Sequence, residues 1–377
     1  MYLFFKFWTK IHCFAITRCF LLLLLSTQVC VAQKPGIFGY VKDGKTGELI
    51  VSAHIFIANT TRGTTSDTKG QFNLEDTPTG RFTIVCTMVG YESYIKDIEL
   101  VAGKQMELII ELNASVNILN EIELIDKEDK KWKKGFEKFK RELLGDTPNA
   151  DQCEIINPWI VDFNEDRRRR IFKAHADQPL IIQNNALGYK ITFLMMRYEK
   201  EADRLFYIGY PSFKNLKITD PDSFERFTEN REETYKGSLR HFFYALVNDK
   251  LEDEGFVLYK IAPGHESQVF QSEKGALNEH LFLPVDISEV VNDSNPWGYY
   301  TVYTSNALEV IYTGKAWDNS PYWDAPYQVS RIWMEEEIMV TKSGYVFNPY
   351  SFIVFGYLSE ERLANMLPFE YRFNKKK

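Results

Sequence analysis

Apolar and polar residues alternate with a period of two through most of residues 35–112, and turn signals cut the alternation into short pieces. The first piece, Gly36 to Val41, is closed by Asp43-Gly44 and Thr46-Gly47. Ala53, Ile55 and Ile57 then alternate with His54, Phe56 and Ala58, which predicts a strand with one buried face. Asp67-Thr68-Lys69-Gly70 has the type I turn pattern, Asp first and Gly fourth. After it, Phe72 and Leu74 face one way while Gln71 and Asn73 face the other. Thr77-Pro78-Thr79-Gly80 is the next turn and leads to Phe82, Ile84 and Cys86 on one face. Met106, Leu108, Ile110 and Leu112 end the series, with Glu107 and Glu111 facing water. Six or seven strands fit this pattern and no helix fits between them, so it predicts a two-sheet antiparallel sandwich.

Further along, the period changes. Trp132, Phe136, Phe139 and Leu143 recur at helical spacing, predicting an amphipathic helix over 127–144 that ends at Gly145. Its other face is mostly Lys and Glu. Lys130, Lys131, Lys133, Lys134, Lys138 and Lys140 could argue for a membrane-surface role, but Glu128, Asp129, Glu137 and Glu142 interrupt them, and a solvated face is the reading. Strands are predicted at 180–183, 189–198 and 205–210, with turns at Asn184-Asn185 and near Ala202-Asp203. Two helical pieces follow, one marked by Phe224 and Phe227, the other by Leu239, Phe242, Phe243 and Leu246 with Ser238 as N-cap. Strands return at 299–303, 308–313, 329–335, 338–341 and 353–357. The expected fold class is therefore mainly β, an N-terminal sandwich followed by a mostly antiparallel α+β domain. The expected division is 1–32 signal peptide, 34–113 sandwich, 114–127 linker and 128–377 α+β domain.

Composition changes the picture at the N-terminus. Lys6, Lys10 and Arg18 precede the apolar run Cys19 to Ser26, and Cys30-Val31-Ala32 ends in small residues, the order of a secretory signal cleaved after Ala32. A membrane anchor is the alternative, but the apolar stretch between Arg18 and Gln28 is too short to span a bilayer. A lipoprotein site is disfavoured because Thr27-Gln28-Val29 before Cys30 lacks the small residues it requires. Cleavage would remove three positive charges and no negative one, moving the net charge from −7 to about −10, which argues against a nucleic-acid partner. It would also leave Cys86 and Cys153 of the five cysteines, for which one inter-domain disulfide is the alternative and two buried thiols the favoured reading, because Cys86 falls on the inward face of a strand. Aromatic residues make up 15% of the chain, so rings either fill the cores or form exposed binding surface.

The order Gly39-x-Val41-x-Asp43, Thr46-Gly47-Glu48, Ala53-x-Ile55, Gly63-Thr64-Thr65-x-Asp67, Gly70-x-Phe72 and Val89-Gly90-Tyr91 resembles the carboxypeptidase regulatory-like domain. The resemblance covers roughly the sandwich segment, and it implies a seven-stranded prealbumin-like sandwich acting as a non-catalytic accessory module. Such domains precede many outer-membrane receptors of Bacteroidetes, in which a segment resembling Leu119-Asn120-Glu121-Ile122-Glu123-Leu124 closes the module. The later region carries Phe139-Lys140-Arg141-Glu142-Leu143-Leu144-Gly145, Leu187-Gly188-Tyr189, Tyr235-x-Gly237-Ser238-Leu239-Arg240-His241-Phe242 and Leu367-Pro368-x-Glu370-Tyr371. It is similar to a region without assigned activity found behind regulatory-like domains in exported Bacteroidetes proteins. The resemblance implies the periplasm, the outer membrane or the cell surface as location. The implied partners are envelope proteins or an outer-membrane receptor.

The chemistry-bearing clusters divide between bland and sharper readings. A zinc carboxypeptidase site needs a His and a Glu close in sequence plus a distant His, and none of His54, His175, His241, His265 and His280 has Glu three residues on. No metal site, cofactor or catalytic set is indicated, and no phosphate loop, CxxC pair or calcium-loop spacing occurs. Arg167 to Arg170 could grip an anion, but Glu165 and Asp166 beside it favour a locally paired cluster. Ser238 and His241 could share a helix face, yet no nucleophile elbow surrounds the Ser, and capping is the better reading. Glu335 and Glu337 would share a strand face, and only a carboxylate or His opposite them would give a hydrolase; Glu360-Glu361 cannot be placed in a cleft from the sequence. The loop from Trp317 to Tyr327 is the candidate ligand-binding element, with Trp317, Tyr322, Trp323, Asp324 and Tyr327 as its residues. Exposed rings beside Asp and Asn can stack on sugars or grip an extended peptide, whereas buried ones pin the loop to its sheet. The leading expectation is a non-enzymatic envelope interaction or assembly protein, followed by a glycan- or peptide-binding accessory of uptake and then an unrecognised hydrolase.

Overall fold

The structure is a computed structural model and describes residues 35–101, 103–115, 130–202, 204–218, 220–265, 276–292, 295, 298–347 and 349–373. The expected signal, the segment Leu119 to Leu124 and most of the expected linker lie outside the described residues. Strands dominate throughout, in several sheets with few helices.

Seven strands form the N-terminal sandwich: β1 (Gly36–Asp43), β2 (His54–Ile57), β3 (Gly63–Thr65), β4 (Gln71–Glu75), β5 (Gly80–Thr87), β6 (Tyr94–Leu100) and β7 (Gln105–Leu112). One sheet has the order β4-β1-β7 and the other β3-β2-β5-β6. The pairing of β1 with β7 is parallel, running from Gly36↔Gln105 to Asp43↔Leu112, where the alternation alone suggested an all-antiparallel sandwich. Period-two patterning fixes which face is buried but not the direction of a neighbour reached through crossovers between two sheets. The inner faces meet in a core that includes Ile37, Val41, Ile55, Phe72, Ile84, Cys86, Ile98 and Ile110. The turns are built by their acids: Asp43 Oδ1 accepts from Lys45 N and Thr46 N, and Asp67 Oδ1 accepts from Lys69 N and Gln71 N, all at 2.8 Å. Gly39 is required by packing, since a Cβ there would lie 1.8 Å from the Leu108 carbonyl oxygen of the parallel neighbour.

The next sheet contains β8 (Cys153–Ile155), β9 (Val161–Asp166), β10 (Ile171–Ala176), β11 (Leu180–Asn184), β12 (Tyr189–Glu201) and β13 (Arg204–Asn215). Along one edge β12 pairs with β13; along the other it pairs first with β11 and then with β10. Helix α1 (Lys130–Leu144) covers this sheet with Phe139, Leu143 and Leu144, while Trp132 and Phe136 are half-buried at its margin. Phe139 meets Tyr198 edge-on at 4.9 Å. The short α2 (Pro148–Asp151) follows, capped by Thr147.

The rest of the chain comprises α3 (Pro221–Tyr235), α4 (Leu239–Val247), β14 (Phe256–Ile261), β15 (Phe282–Pro284), α5 (Ile287–Val290), β16 (Val291–Asn292), β17 (Tyr299–Val302), β18 (Leu308–Ala316), β19 (Tyr327–Met334), β20 (Ile338–Thr341) and β21 (Phe352–Gly356). Two antiparallel sheets result, β15-β14-β18-β19-β21 and β16-β17-β20. Phe242, Phe243 and Leu246 of α4 pack into a shared core with Leu308, Ile332 and Val340. No helix among the described residues is long and apolar enough to cross a membrane.

The sandwich is joined to the rest through the turn between β2 and β3. Phe56, Ala58 and Val85, on the sheet face away from its own core, are buried against Leu194, with Ile95 and Tyr210 beside them. Burying a ring such as Phe56 contributes about 2–3 kcal/mol. Asn59 N donates to Pro211 O at 2.7 Å, Phe213 N to Thr60 O at 2.9 Å, and Phe369 N to Asn59 O at 2.7 Å. The turn is thus hydrogen-bonded on one side to β13 and on the other to the C-terminal segment.

Candidate functional site

The β18–β19 ladder ends at Ala316↔Tyr327, which makes 317–326 a hairpin tip. The tip closes on itself: Trp317 N donates to Pro326 O at 2.9 Å and Ser320 Oγ to Ala325 O at 2.8 Å. Trp317 is 9% exposed and lies edge-on to Tyr357 at 5.8 Å. Tyr322 also turns inward, donating its hydroxyl proton to Glu309 Oε1 at 2.7 Å and accepting from Leu277 N at 3.3 Å. Glu309 is fully buried, and Arg331, its cross-strand neighbour, donates Nε–H to Oε2 at 2.7 Å. Burial raises the Glu309 carboxyl above its ordinary value against the pull of Arg331 and Tyr322.

The five candidate residues therefore divide. Tyr322 anchors the loop to a buried ion pair and Trp317 packs on Tyr357, whereas Trp323 is 94% exposed, Tyr327 is 37% exposed, and Asp324 lies at the surface. An exposed indole on an anchored hairpin can stack against a flat apolar face, with Asp324, Asp318 and Asn319 available at the surface as hydrogen-bonding groups. The Glu309–Arg331 pair beneath was missed in the sequence. Its signal is a single charge in each of two apolar strands, LEVIY and VSRIW.

The corner between α3 and α4 holds the other chemical candidates. Ser238 Oγ accepts from His241 N at 3.1 Å, which is helix capping. His241 is buried, and its Nδ1 accepts from Gly237 N at 3.0 Å rather than from the serine. That bond leaves Nδ1 without a proton, so the neutral ring turns Nε2–H toward Glu254 Oε2, 3.2 Å away. The two ring nitrogens thus face Gly237 N and Glu254, not the Ser238 hydroxyl. Glu361 accepts from Leu239 N at 3.3 Å at the start of α4, and burial pushes its carboxyl up to about 8. Lys315 crosses to the end of α3, donating to Lys236 O at 2.9 Å and pairing with Glu233 at 2.8 Å.

Arg240 explains why two distant motifs of the later region belong together. Its guanidinium donates to Pro368 O, Phe369 O and Tyr371 O, each at 2.9 Å. Tyr235 stacks on Phe373 at 5.3 Å. On the opposite side of the same segment, the Glu370 carboxylate accepts from Thr61 N at 3.0 and 3.1 Å. The conspicuous residues at 235–242 and 367–371 thus make a three-part clamp of α4, C-terminal segment and sandwich turn.

The remaining sequence candidates are dispersed. His54 stacks on Phe56 at 5.1 Å, and His175 is exposed beside Asp177. Among the described residues no group of three His, Cys, Asp or Glu side chains could hold a metal ion. Arg167 to Arg170 form the exposed tip of the β9–β10 hairpin, with Arg167 3.3 Å from Glu165. Glu335, expected at the end of a strand, lies with Glu336 and Glu337 in the exposed turn between β19 and β20, so no strand face pairs Glu335 with Glu337. Cys86 and Cys153 are free and buried, and burial pushes each thiol up to about 12. A cleft of about 870 Å³, unseen in the sequence, opens among α4, β14, α5 and β17, lined by Val247, Lys260, Val285, Ile287, Glu289 and Tyr300.

Residues 37–124 match the CarboxypepD_reg-like domain. The match covers the sandwich and the segment after it, and no curated protein matches the chain. Among solved structures, a type II cohesin–X-dockerin complex from Acetivibrio cellulolyticus aligns at 21% identity and TM-score 0.18, over 21% of this chain and 58% of that one. The chain thus spans little more than half of that protein. A protein of unknown function from Bacteroides fragilis aligns at 10% identity and TM-score 0.19, over 50% of this chain and 84% of that one. A DUF3823 family protein from Bacteroides uniformis aligns at 9% identity and TM-score 0.17, over 50% and 85%.

Proposed function

We propose that the protein is an exported, non-enzymatic interaction or assembly protein of a Bacteroidetes cell envelope, in which the CarboxypepD_reg-like sandwich is fixed to a second body that presents the 317–327 hairpin to a partner. The observation that carries this reading is the contrast within that hairpin. Trp317 and Tyr322 are held inward at fixed bonds, and Trp323 is left 94% exposed. Exposing a whole indole forgoes roughly 2–3 kcal/mol of burial, which a binding role recovers on contact. The polar groups that chemistry would draw on support the same reading, because Ser238, Arg240 and Glu370 are engaged in capping and clamping.

A second reading, a glycan- or peptide-binding accessory of outer-membrane uptake, is favoured by the exposed Asp318, Asn319 and Asp324 around the ring. The two are separated by presenting the full chain to glycan and peptide arrays and, in parallel, to envelope proteins in intact cells through a photo-crosslinker at position 324. Array binding lost in Trp323→Ala supports the accessory. A protein crosslink lost in the same variant supports assembly. Binding of either kind that survives Trp323→Ala contradicts the assignment of this hairpin.

A further inference from the structure

The chain carries net negative charge, yet one face concentrates the opposite sign. Helix α1 holds seven basic residues, Lys130, Lys131, Lys133, Lys134, Lys138, Lys140 and Arg141, against Glu137 and Glu142 within it and Glu128 and Asp129 just before it, an excess of three positive charges where the sequence alone suggested a solvated face. Glu142 is occupied by Lys200 at 2.5 Å, which weakens its offset of the helix charge. The β9–β10 hairpin packs beside α1: Trp132 Nε1 donates to Val161 O at 3.0 Å, and Lys138 lies over the Phe172 ring at 4.4 Å. Phe172 is two residues from Arg170, so the tip with Arg167 to Arg170 extends the basic stripe of the helix. Glu165 and Asp166 pair with Arg167 and Arg169 there, leaving the tip with an excess of two positive charges.

Two exposed apolar side chains lie on the chain leading into β9. Trp159, two residues before the Val161 that receives the Trp132 bond, is 61% exposed, and Ile156, three residues further back, is 41% exposed. Lysines and arginines beside an exposed indole match a bilayer surface, where the ring sits at headgroup depth and the cations meet phosphates. A duplex groove would use the charge without the apolar pair, whereas a single strand stacks its bases on exposed rings, so both forms of nucleic acid enter the test.

We propose that α1, Trp159 and the β9–β10 tip form a peripheral docking face for anionic lipid headgroups, separate from the 317–327 hairpin. The test is co-sedimentation of the full chain with vesicles of phosphatidylcholine alone or mixed with phosphatidylglycerol, at low and at high salt. The neutral vesicles record any binding through the apolar residues near the N-terminus, so the readout is the gain on adding phosphatidylglycerol. That gain is expected to fall about tenfold or more in Lys130→Glu/Lys133→Glu/Lys134→Glu, several-fold in Trp159→Ala, and steeply with salt. All four positions are exposed, and unchanged circular dichroism and melting confirm that the variants are folded. Equal binding to both vesicle types, a gain untouched by either variant, or binding to a DNA duplex or single strand with none to vesicles would each overturn the proposal.

Discussion

Arg240 offers the sharpest test of how the sandwich and the second body are held together. Its guanidinium makes three bonds of 2.9 Å to backbone carbonyls of 368–371, and burial depresses it only to about 10, so it remains charged at neutral pH. Charge-assisted bonds contribute about 1.5–3 kcal/mol each, and the desolvation cost of the cation offsets several kcal/mol of their sum. Replacing Arg240 with Ala should therefore destabilise the protein by about 3 kcal/mol and lower its melting temperature by roughly 4–6 °C. Lysine has no planar fork to reach three carbonyls at once and should restore less than half of the loss. Because Glu370 ties the same segment to Thr61 and Phe369 N ties it to Asn59, the damage should spread to the sandwich turn. Urea unfolding gives the energy, and amide exchange at 59–62 and 369–371 gives the location. A loss below about 1 kcal/mol with unchanged protection at the turn would refute the clamp.

Other perturbations probe different parts. Gly39→Ala should cost about 4 kcal/mol or more by driving Cβ into the Leu108 carbonyl, measurable by urea unfolding; a loss under about 1 kcal/mol would show that β7 can move aside. Arg331→Met leaves Glu309 buried without its cation and should cost about 3–5 kcal/mol, with Glu309→Leu added on top restoring at least half. Glu361 sits above its unfolded value, at about 8, so the folded protein holds its proton more tightly, and stability declines as pH rises from the ordinary carboxylate range toward 8. Relative to wild type, Glu361→Gln should gain on the order of 2–4 kcal/mol across that window, and a constant difference from pH 4 to 9 would exclude the effect.

Where the buried face of an element is also its only apolar face, the sequence displayed it. Phe72 and Leu74, the 106–112 alternation and the Phe139–Leu143 stripe each take the place their spacing predicts, and Ser238 caps α4 as its position before an apolar run implies. Elements with mixed patterns were hidden. The strand Ile171–Ala176 follows four arginines, and β14 and β15 are short pieces whose partners lie far along the chain. The joint between the two bodies was present in His54-Ile55-Phe56-Ile57-Ala58, which is apolar on both faces, but alternation theory assigns such a strand only one buried side. In the aromatic hairpin the identity of the rings was legible and their direction was not. Trp317 and Trp323 are indistinguishable until the buried Glu309–Arg331 pair shows which side of the loop faces the sheet.

In the proposed function this hairpin presents Trp323 for recognition while Trp317 and Tyr322 hold it in place. The most direct measurement is the affinity of Trp323→Ala for whichever array ligand or crosslinked partner the wild-type chain engages, taken together with its stability. The expected result is a loss of about 2 kcal/mol or more in binding, roughly 30-fold, with stability within about 0.5 kcal/mol of wild type. Unchanged affinity, or a collapse of stability in place of affinity, would contradict it.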